Sequence, residues 1–293
     1  MTGHSTLHAP ASTYFRSRRW RAFLAACIAG AISTPTLAQQ PQHPDDDEPL
    51  IASLITEHSH AVPGETFYIG VHMRLAEDWH TYWDGLNDTG FAATVKLDLP
   101  AGWTAGEIQW PAPERYITSG GLGLDHVYHR DTTLIIPIQV PADATVGETV
   151  TITADAEWLV CQDACIPGWA TLTLETPVRA ETATASDDAS LFAATRERTP
   201  VPLERADDER LSAEMDGRDL VIRARGASKV AFYPSSASAA PEDIMRTGEA
   251  QGDRLRLRFQ LEPTGEKPVT GIIAIFATDG TPSWYAVTFP HDG

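Results

Sequence analysis

Only three cysteines occur in the 293 residues, and Cys27 lies in an N-terminal segment that reads as removable. That scarcity excludes a scaffold held together by several cross-links, the usual solution for small secreted domains. No stretch approaches the ~18 apolar residues that a membrane span needs, so the chain is expected to have no span of its own. Basic residues are also scarce: 22 Lys and Arg stand against 40 Asp and Glu, for a formal net charge of −18. Nucleic acid and anionic membrane surfaces would be repelled by such a chain. Gly-x-Ser-x-Gly elbows and metalloprotease helices are missing. Gly120-Gly-Leu-Gly123 does not match the phosphate-binding fingerprints, and no helical pattern follows it. No cofactor or resident metal is expected.

What is present begins with the marks of an export signal over residues 1–38. Arg16, Arg18, Arg19 and Arg21 form a basic stretch, residues 22–32 are apolar, and Thr36-Leu-Ala38 ends in a small residue suited to cleavage. The adjacent arginines are similar to a twin-arginine signal, and Leu24-Ala-Ala-Cys27 to a lipoprotein cleavage box. That box follows the arginines too closely, and the apolar run continues past it, so ordinary cleavage near Ala38 is the expected event. Cleavage there removes four arginines and no acidic residue, leaving a net charge of −22 on 255 residues. The mature protein is expected to be soluble and periplasmic, or otherwise exported.

Residues 39–49 are acidic and proline-rich and read as a flexible leader. Over residues 50–179 short alternating segments are divided by Gly and Pro, as in Thr66-Phe-Tyr-Ile-Gly-Val-His-Met-Arg-Leu75 and Ala93-Thr-Val-Lys-Leu-Asp-Leu99, with no convincing amphipathic helix between them. This pattern predicts a β-sandwich. Residues 180–202 are rich in Ala, Thr, Ser and charge and read as a linker, with one or two helical turns near 188–197. A second, smaller β-rich and sandwich-like domain is expected over 203–293, with hairpins at Asp216-Gly217 and Asp279-Gly280. The fold class is therefore all-β.

The two remaining cysteines lie in Trp158-Leu-Val-Cys-Gln-Asp-Ala-Cys-Ile-Pro-Gly168. Strand phase puts Val150, Ile152, Ala154, Ala156, Trp158 and Val160 on one face, so Leu159 and Cys161 point the other way. Alternation resumes after Cys165, and the pair should flank a three-residue turn, nearly opposed and close enough for a disulfide. Such a bridge could simply pin the hairpin, as secreted proteins often do. Loop entropy argues against that, because a loop of about five residues gains only ~2 kcal/mol, against ~4.7 for one of a hundred. Exposed or strained local bridges have the more oxidising potentials of exchange pairs. A thiolate pair with an imidazole also suits copper, and His72, His80, His126 and His129 are available. Asp163, between the cysteines, should raise their thiol pKa values.

Residues 63–177 resemble the periplasmic N-terminal domain of the DsbD family of thiol:disulfide interchange proteins. The resemblance rests on Gly64-Glu-Thr-Phe67, Asp78-Trp-His-Thr-Tyr-Trp83, Leu99-Pro-Ala-Gly-Trp103, Glu107-Ile-Gln-Trp-Pro-Ala-Pro113 and the cysteine hairpin, in that order. It implies an immunoglobulin-like sandwich whose cysteine pair carries electrons from a membrane-embedded dithiol donor to periplasmic thioredoxin-like or isomerase proteins. By position, Cys165 would be the attacking thiol and Cys161 the resolving one. The family's cap loop would correspond to residues 116–128, with Tyr116, Leu122, Leu124 and Tyr128 as shielding residues. Three glycines within residues 120–123 suit a mobile segment. The best-known members have a wider cysteine spacing. Their membrane domain and Cys-x-x-Cys domain do not follow in this sequence, so the donor is expected on a separate polypeptide.

Other features read as structure. Trp79, His80, Tyr82 and Trp83 form an aromatic knot suited to a core and a sheet edge. Trp158 and Trp169 flank the hairpin, where they could shield the sulfurs or simply pack. Asp84, Asp88, Asp125 and Asp131 show no pairing. The expected function is an exported protein-disulfide reductase-type exchange module using Cys161 and Cys165. A non-catalytic scaffold with a structural disulfide and a copper-handling protein are the alternatives.

Overall fold

A computed structural model describes residues 43–290 apart from 46, 119, 207 and 208. The expected signal segment, Cys27 with it, and residues 39–42 of the leader lie outside the described residues. The first half contributes β1 (Leu50–Thr56), β2 (Thr66–Leu75), β3 (His80–Tyr82), β4 (Thr94–Asp98) and β5 (Thr104–Ala105). It continues with β6 (Glu114–Ile117), β7 (Leu124–Tyr128), β8 (Thr132–Gln139), β9 (Thr149–Cys161) and β10 (Cys165–Pro177). One sheet has the order β1-β2-β8-β5, the other β10-β9-β3-β7-β6, with β4 also paired to β9.

Alternation explains how the two sheets meet. Phe67, Ile69, Val71 and Met73 of β2 and Leu134, Ile136 and Ile138 of β8 share a core with Ile152, Ala156, Trp158 and Val160 of β9. These positions are two residues apart, the period that sends side chains to one face of a strand. The first half is thus the β-sandwich that its patterning predicts, immunoglobulin-like as the family resemblance implies, followed by a second β-rich region.

Between the two halves runs α1 (Ala189–Arg196). The segment expected as a linker is packed. Phe192 is fully buried against Ile55 and Ile135, on the outer face of the first sheet. Burying such a ring contributes ~2–3 kcal/mol. Gly70 makes room for it, since a Cβ there would stand 3.1 Å from Phe192 Cζ and 2.6 Å from Thr133 Cγ2. The N–H of Ser186 donates to Glu57 O at 3.0 Å, and the N–H of Ala112 to Arg198 O at 2.8 Å. Its polar composition predicts a linker, and Phe192, Leu191 and a set of backbone hydrogen bonds fasten it to the sandwich.

The second half contains β11 (Val201–Pro202), β12 (Leu211–Asp216), β13 (Asp219–Ala224), β14 (Lys229–Pro234) and β15 (Glu249–Gln251). After these come β16 (Arg254–Arg258), β17 (Val269–Phe276) and β18 (Pro282–Phe289). A five-stranded sheet, β11-β18-β17-β14-β15, faces a three-stranded one, β12-β13-β16. Leu220, Ile222, Leu255 and Leu257 meet Val230, Phe232, Ile273 and Val287 between them. The alternate residues Ala231, Tyr233, Ile272 and Ala274 pack on Trp83, Ala112 and Tyr128 of the first half. Both faces of β14 and β17 are therefore covered, which accounts for their dense apolar composition.

Candidate functional site

The long hairpin of β9 and β10 sets the site. Its antiparallel register runs from Thr149↔Pro177 to Cys161↔Cys165, so the two cysteines form the last opposed pair before the turn. Their Cα atoms are 4.1 Å apart, and the sulfurs are joined in a disulfide. Within the turn, the N–H of Gln162 donates to Ala164 O at 3.2 Å. Strand phase then separates the environments of successive residues. Trp158 and Val160 enter the main core, whereas Leu159 and Cys161 join a smaller cluster with Tyr82 and Val127 on the opposite face.

The two sulfurs are not equivalent. Cys161 lies on an inner strand and is 2% exposed. Cys165 lies on the outer strand β10 and is exposed. Ile166 and Trp169, on the same strand, are 41% and 76% exposed. Trp158 is turned into the main core and lies across Gly168, where a Cβ would come 2.3 Å from its Nε1.

On its other side β9 pairs with β3, with His80 opposite Cys161. His80 and Tyr82, two residues apart, take the same face as the sulfur. The Tyr82 hydroxyl is 3.1 Å from Cys161 Sγ, to which it donates, and 3.8 Å from Cys165 Sγ. It is also 3.3 Å from Thr89 Oγ1. Thr89 in turn donates its hydroxyl to Asp125 Oδ2 at 2.5 Å. Asp125 is fully buried, and its Oδ1 accepts the N–H groups of Asp88 at 2.8 Å and Thr89 at 3.0 Å. Burial pushes the Tyr82 phenol up, so it keeps its proton.

The ring of His80 packs 4.9 Å from Tyr116, 5.4 Å from His129 and 5.5 Å from Tyr82, between centroids. Burial, then the neighbouring His129, lowers His80 to about 4, so it is neutral at neutral pH. His126 is lowered to about 4 by burial too, and its Nδ1 lies 3.2 Å from Leu86 O. His72 lies on β2 in the other sheet, with Nδ1 3.0 Å from Thr133 Oγ1. Among the described residues no group of three or more His, Cys, Asp or Glu side chains is arranged to hold a metal ion.

The residues expected to shield the pair scatter. Tyr116, on β6, packs on the Cys161 cluster. Leu124 is 2% exposed, whereas Leu122 is 88% exposed. Tyr128 belongs to the cluster that meets the second β region, and its hydroxyl donates to Pro111 O at 2.7 Å. The remaining carboxylates act locally: Asp88 Oδ2 accepts the N–H of Leu124 at 2.8 Å, Asp131 that of Leu75 at 3.0 Å, and Asp84 the hydroxyl of Ser236. Sequence reading treated Tyr82 as packing. Its place at the sulfur follows from the β3–β9 register, which pairs His80 with Cys161.

The family described as thiol:disulfide interchange protein DsbD, N-terminal, matches residues 52–177. Among solved structures, the fold is similar to the N-terminal periplasmic domain of ScsB from Proteus mirabilis. The TM-score is 0.53 at 15% identity, over 84% of this chain and 95% of that one. That match takes in both β regions. A protein of unknown function from Porphyromonas gingivalis W83 aligns over 82% of this chain and 98% of its own at 13% identity, but with a TM-score of only 0.26. No curated protein matches the chain by sequence.

Proposed function

We propose, from the premise that residues 52–177 are a DsbD-type N-terminal domain, that the protein is a thiol:disulfide exchange module working through Cys161 and Cys165. The observation that carries the reading is the disulfide at the tip of β9 and β10, with one cysteine exposed and the other buried. An approaching thiolate can reach Cys165 but not Cys161. In the loading step a donor thiolate attacks Cys165 Sγ. A donor–Cys165 disulfide forms, and Cys161 leaves with the bonding electron pair as a thiolate. The donor's second thiolate then attacks its own sulfur in the mixed disulfide, which releases Cys165 and leaves the donor oxidised. The reduced pair repeats the sequence in reverse on an acceptor disulfide: Cys165 attacks and Cys161 resolves.

A membrane-embedded dithiol protein is the proposed donor, and periplasmic thioredoxin-like or isomerase proteins are the proposed acceptors. The similar ScsB domain is described as periplasmic, and the same compartment is assigned here, with cleavage near Ala38. Among the described residues no helix is long and apolar enough to cross a membrane. Residue 116 and the loop that follows it are proposed to cover the pair between encounters.

Two measurements test the reading. The reduction potential of the pair should lie well above about −300 mV, and a lower value, typical of a structural bridge, would overturn it. Cys161→Ser should trap acceptors as a mixed disulfide on Cys165, whereas Cys165→Ser should trap none. The opposite pattern would reverse the two roles.

A further inference from the structure

We infer that Tyr82 is a catalytic hydrogen-bond donor to Cys161 as that sulfur leaves, and that Thr89 and Asp125 position it for this task. The inference rests on the exchange reading above and adds the group that receives the developing charge. Cys161 is 2% exposed, so water has little access to its sulfur when the S–S bond breaks. The Tyr82 hydroxyl lies 3.1 Å from it and is farther, at 3.8 Å, from Cys165 Sγ. The donor thus favours the sulfur that must carry negative charge in the loading step. A hydrogen bond that begins on a neutral sulfur and ends on a thiolate strengthens as the reaction proceeds, and only such a differential contact accelerates chemistry.

The polarity of the chain behind Tyr82 is fixed. Thr89 has a single hydroxyl proton, and Asp125 Oδ2 takes it at 2.5 Å. Toward Tyr82, 3.3 Å away, the Thr89 oxygen can therefore only accept. The phenol proton has two destinations, the Thr89 oxygen and Cys161 Sγ. In the reduced protein a neutral Cys161 thiol can donate to the phenol oxygen while the phenol donates to Thr89. In the thiolate the phenol turns its proton to sulfur. No proton need leave Tyr82. When the bond breaks, the electron pair stays on Cys161 Sγ, and the proton that later neutralises it comes from solvent after the partner departs. The buried Asp125, held by two backbone N–H groups, keeps the arrangement from inverting.

The test is made in the full chain with dithiothreitol as reductant, quenching with acid and alkylating the freed thiols. Tyr82→Phe keeps the ring in its cluster and removes the hydroxyl. It should slow reduction about tenfold, the scale of one charge-assisted hydrogen bond. With Cys165→Ser as background, Tyr82→Phe should also raise the Cys161 titration, followed by thiolate absorbance, by about one pH unit, the same tenfold effect at equilibrium. Thr89→Val should slow reduction by a smaller factor, about threefold, while Thr89→Ser should match wild type. Unchanged reduction and titration in Tyr82→Phe would overturn the role of the phenol. Equal rates for Thr89→Val and Thr89→Ser would overturn the positioning role. A wild-type potential in the range of structural bridges would sink the exchange reading alone, because the effect on Cys161 acidity is measured independently of it.

Discussion

The two β regions solve the same packing problem with different interiors. Each lays two sheets face to face over an aliphatic core. Residues 43–202 also bury His60, His72, His80, Thr81, Asp125, His126, Thr132, Thr133, Thr176 and Thr195, whereas among the described residues the second region buries only Asp219 and Ser238 of the polar side chains. Buried polar groups destabilise unless they are satisfied, and they are tolerated where they serve a site or lock one arrangement. In the second region Asp219 is satisfied outright: Arg256 Nη2 donates to its Oδ2 at 2.5 Å and Arg258 Nε to its Oδ1 at 2.8 Å. In the first, His80 and Thr81 lie on β3, beside the strand of Cys161, and Asp125 and His126 lie on β7, the next strand over. The polar interior of the first region reaches the disulfide through Asp125, Thr89 and Tyr82, whereas the region without cysteine has an interior built for packing.

That contrast can be broken most forcefully where α1 packs on the first region. Phe192→Ala should lower stability by about 3–5 kcal/mol in chemical denaturation. A loss under about 1 kcal/mol would mean that residues 180–202 tether the halves without supporting either. Gly168→Ala drives a methyl into Trp158 and should destabilise by about 1–3 kcal/mol. An unchanged unfolding midpoint would show that the tip of the hairpin yields freely.

Acid should sharpen the contrast further. His80 and His126 titrate near 4 when folded and near 6.5 when unfolded, so between these values the unfolded chain binds more protons. Their contribution is complete above about pH 6.5 and is lost as pH falls toward 4. Asp219 behaves differently, since hydrogen bonds from Arg258 and Arg256 hold its carboxyl well below the usual range. Its contribution persists to about pH 4, the usual carboxylate value, and is lost only below it. Thermal unfolding from pH 3 to 8 should therefore show His126→Phe flattening the upper part of the acid limb and Asp219→Asn the lower part. The same flattening from both variants would show that the two interiors do not differ in this way. The smallest effect is expected at the exposed Leu122, where Leu122→Ala should change stability by less than about 0.5 kcal/mol. A changed rate of disulfide reduction in that variant, without a change in stability, would support a covering role for its loop.

How much of this was legible beforehand depended on whether neighbours in space were neighbours in sequence. The strand phase of residues 149–161 and the return at Cys165 put the two cysteines opposite each other, and the β9–β10 register has them there. Arg254–Arg258 alternates cleanly and forms a half-buried strand. The surroundings of the sulfurs were not readable, because β3 is only three residues long and its partners β7 and β9 lie far along the chain. A run that short has no periodicity from which to choose a face. Every residue of β7 is buried, so alternation could not indicate that Tyr128 packs toward the second region while Val127 packs toward Cys161. Thr89 carried no signal at all; its role depends on a turn that brings it under Asp125.

The register of β9 and β10 also bears on what happens when the disulfide opens. Thirteen residue pairs join the two strands, and the cysteines are only the terminal one. Reduction cuts a single rivet at the end of a long riveted seam, and the other twelve hold the two edges in line. The oxidised and reduced proteins should therefore keep the same hairpin geometry, with the change confined to its tip.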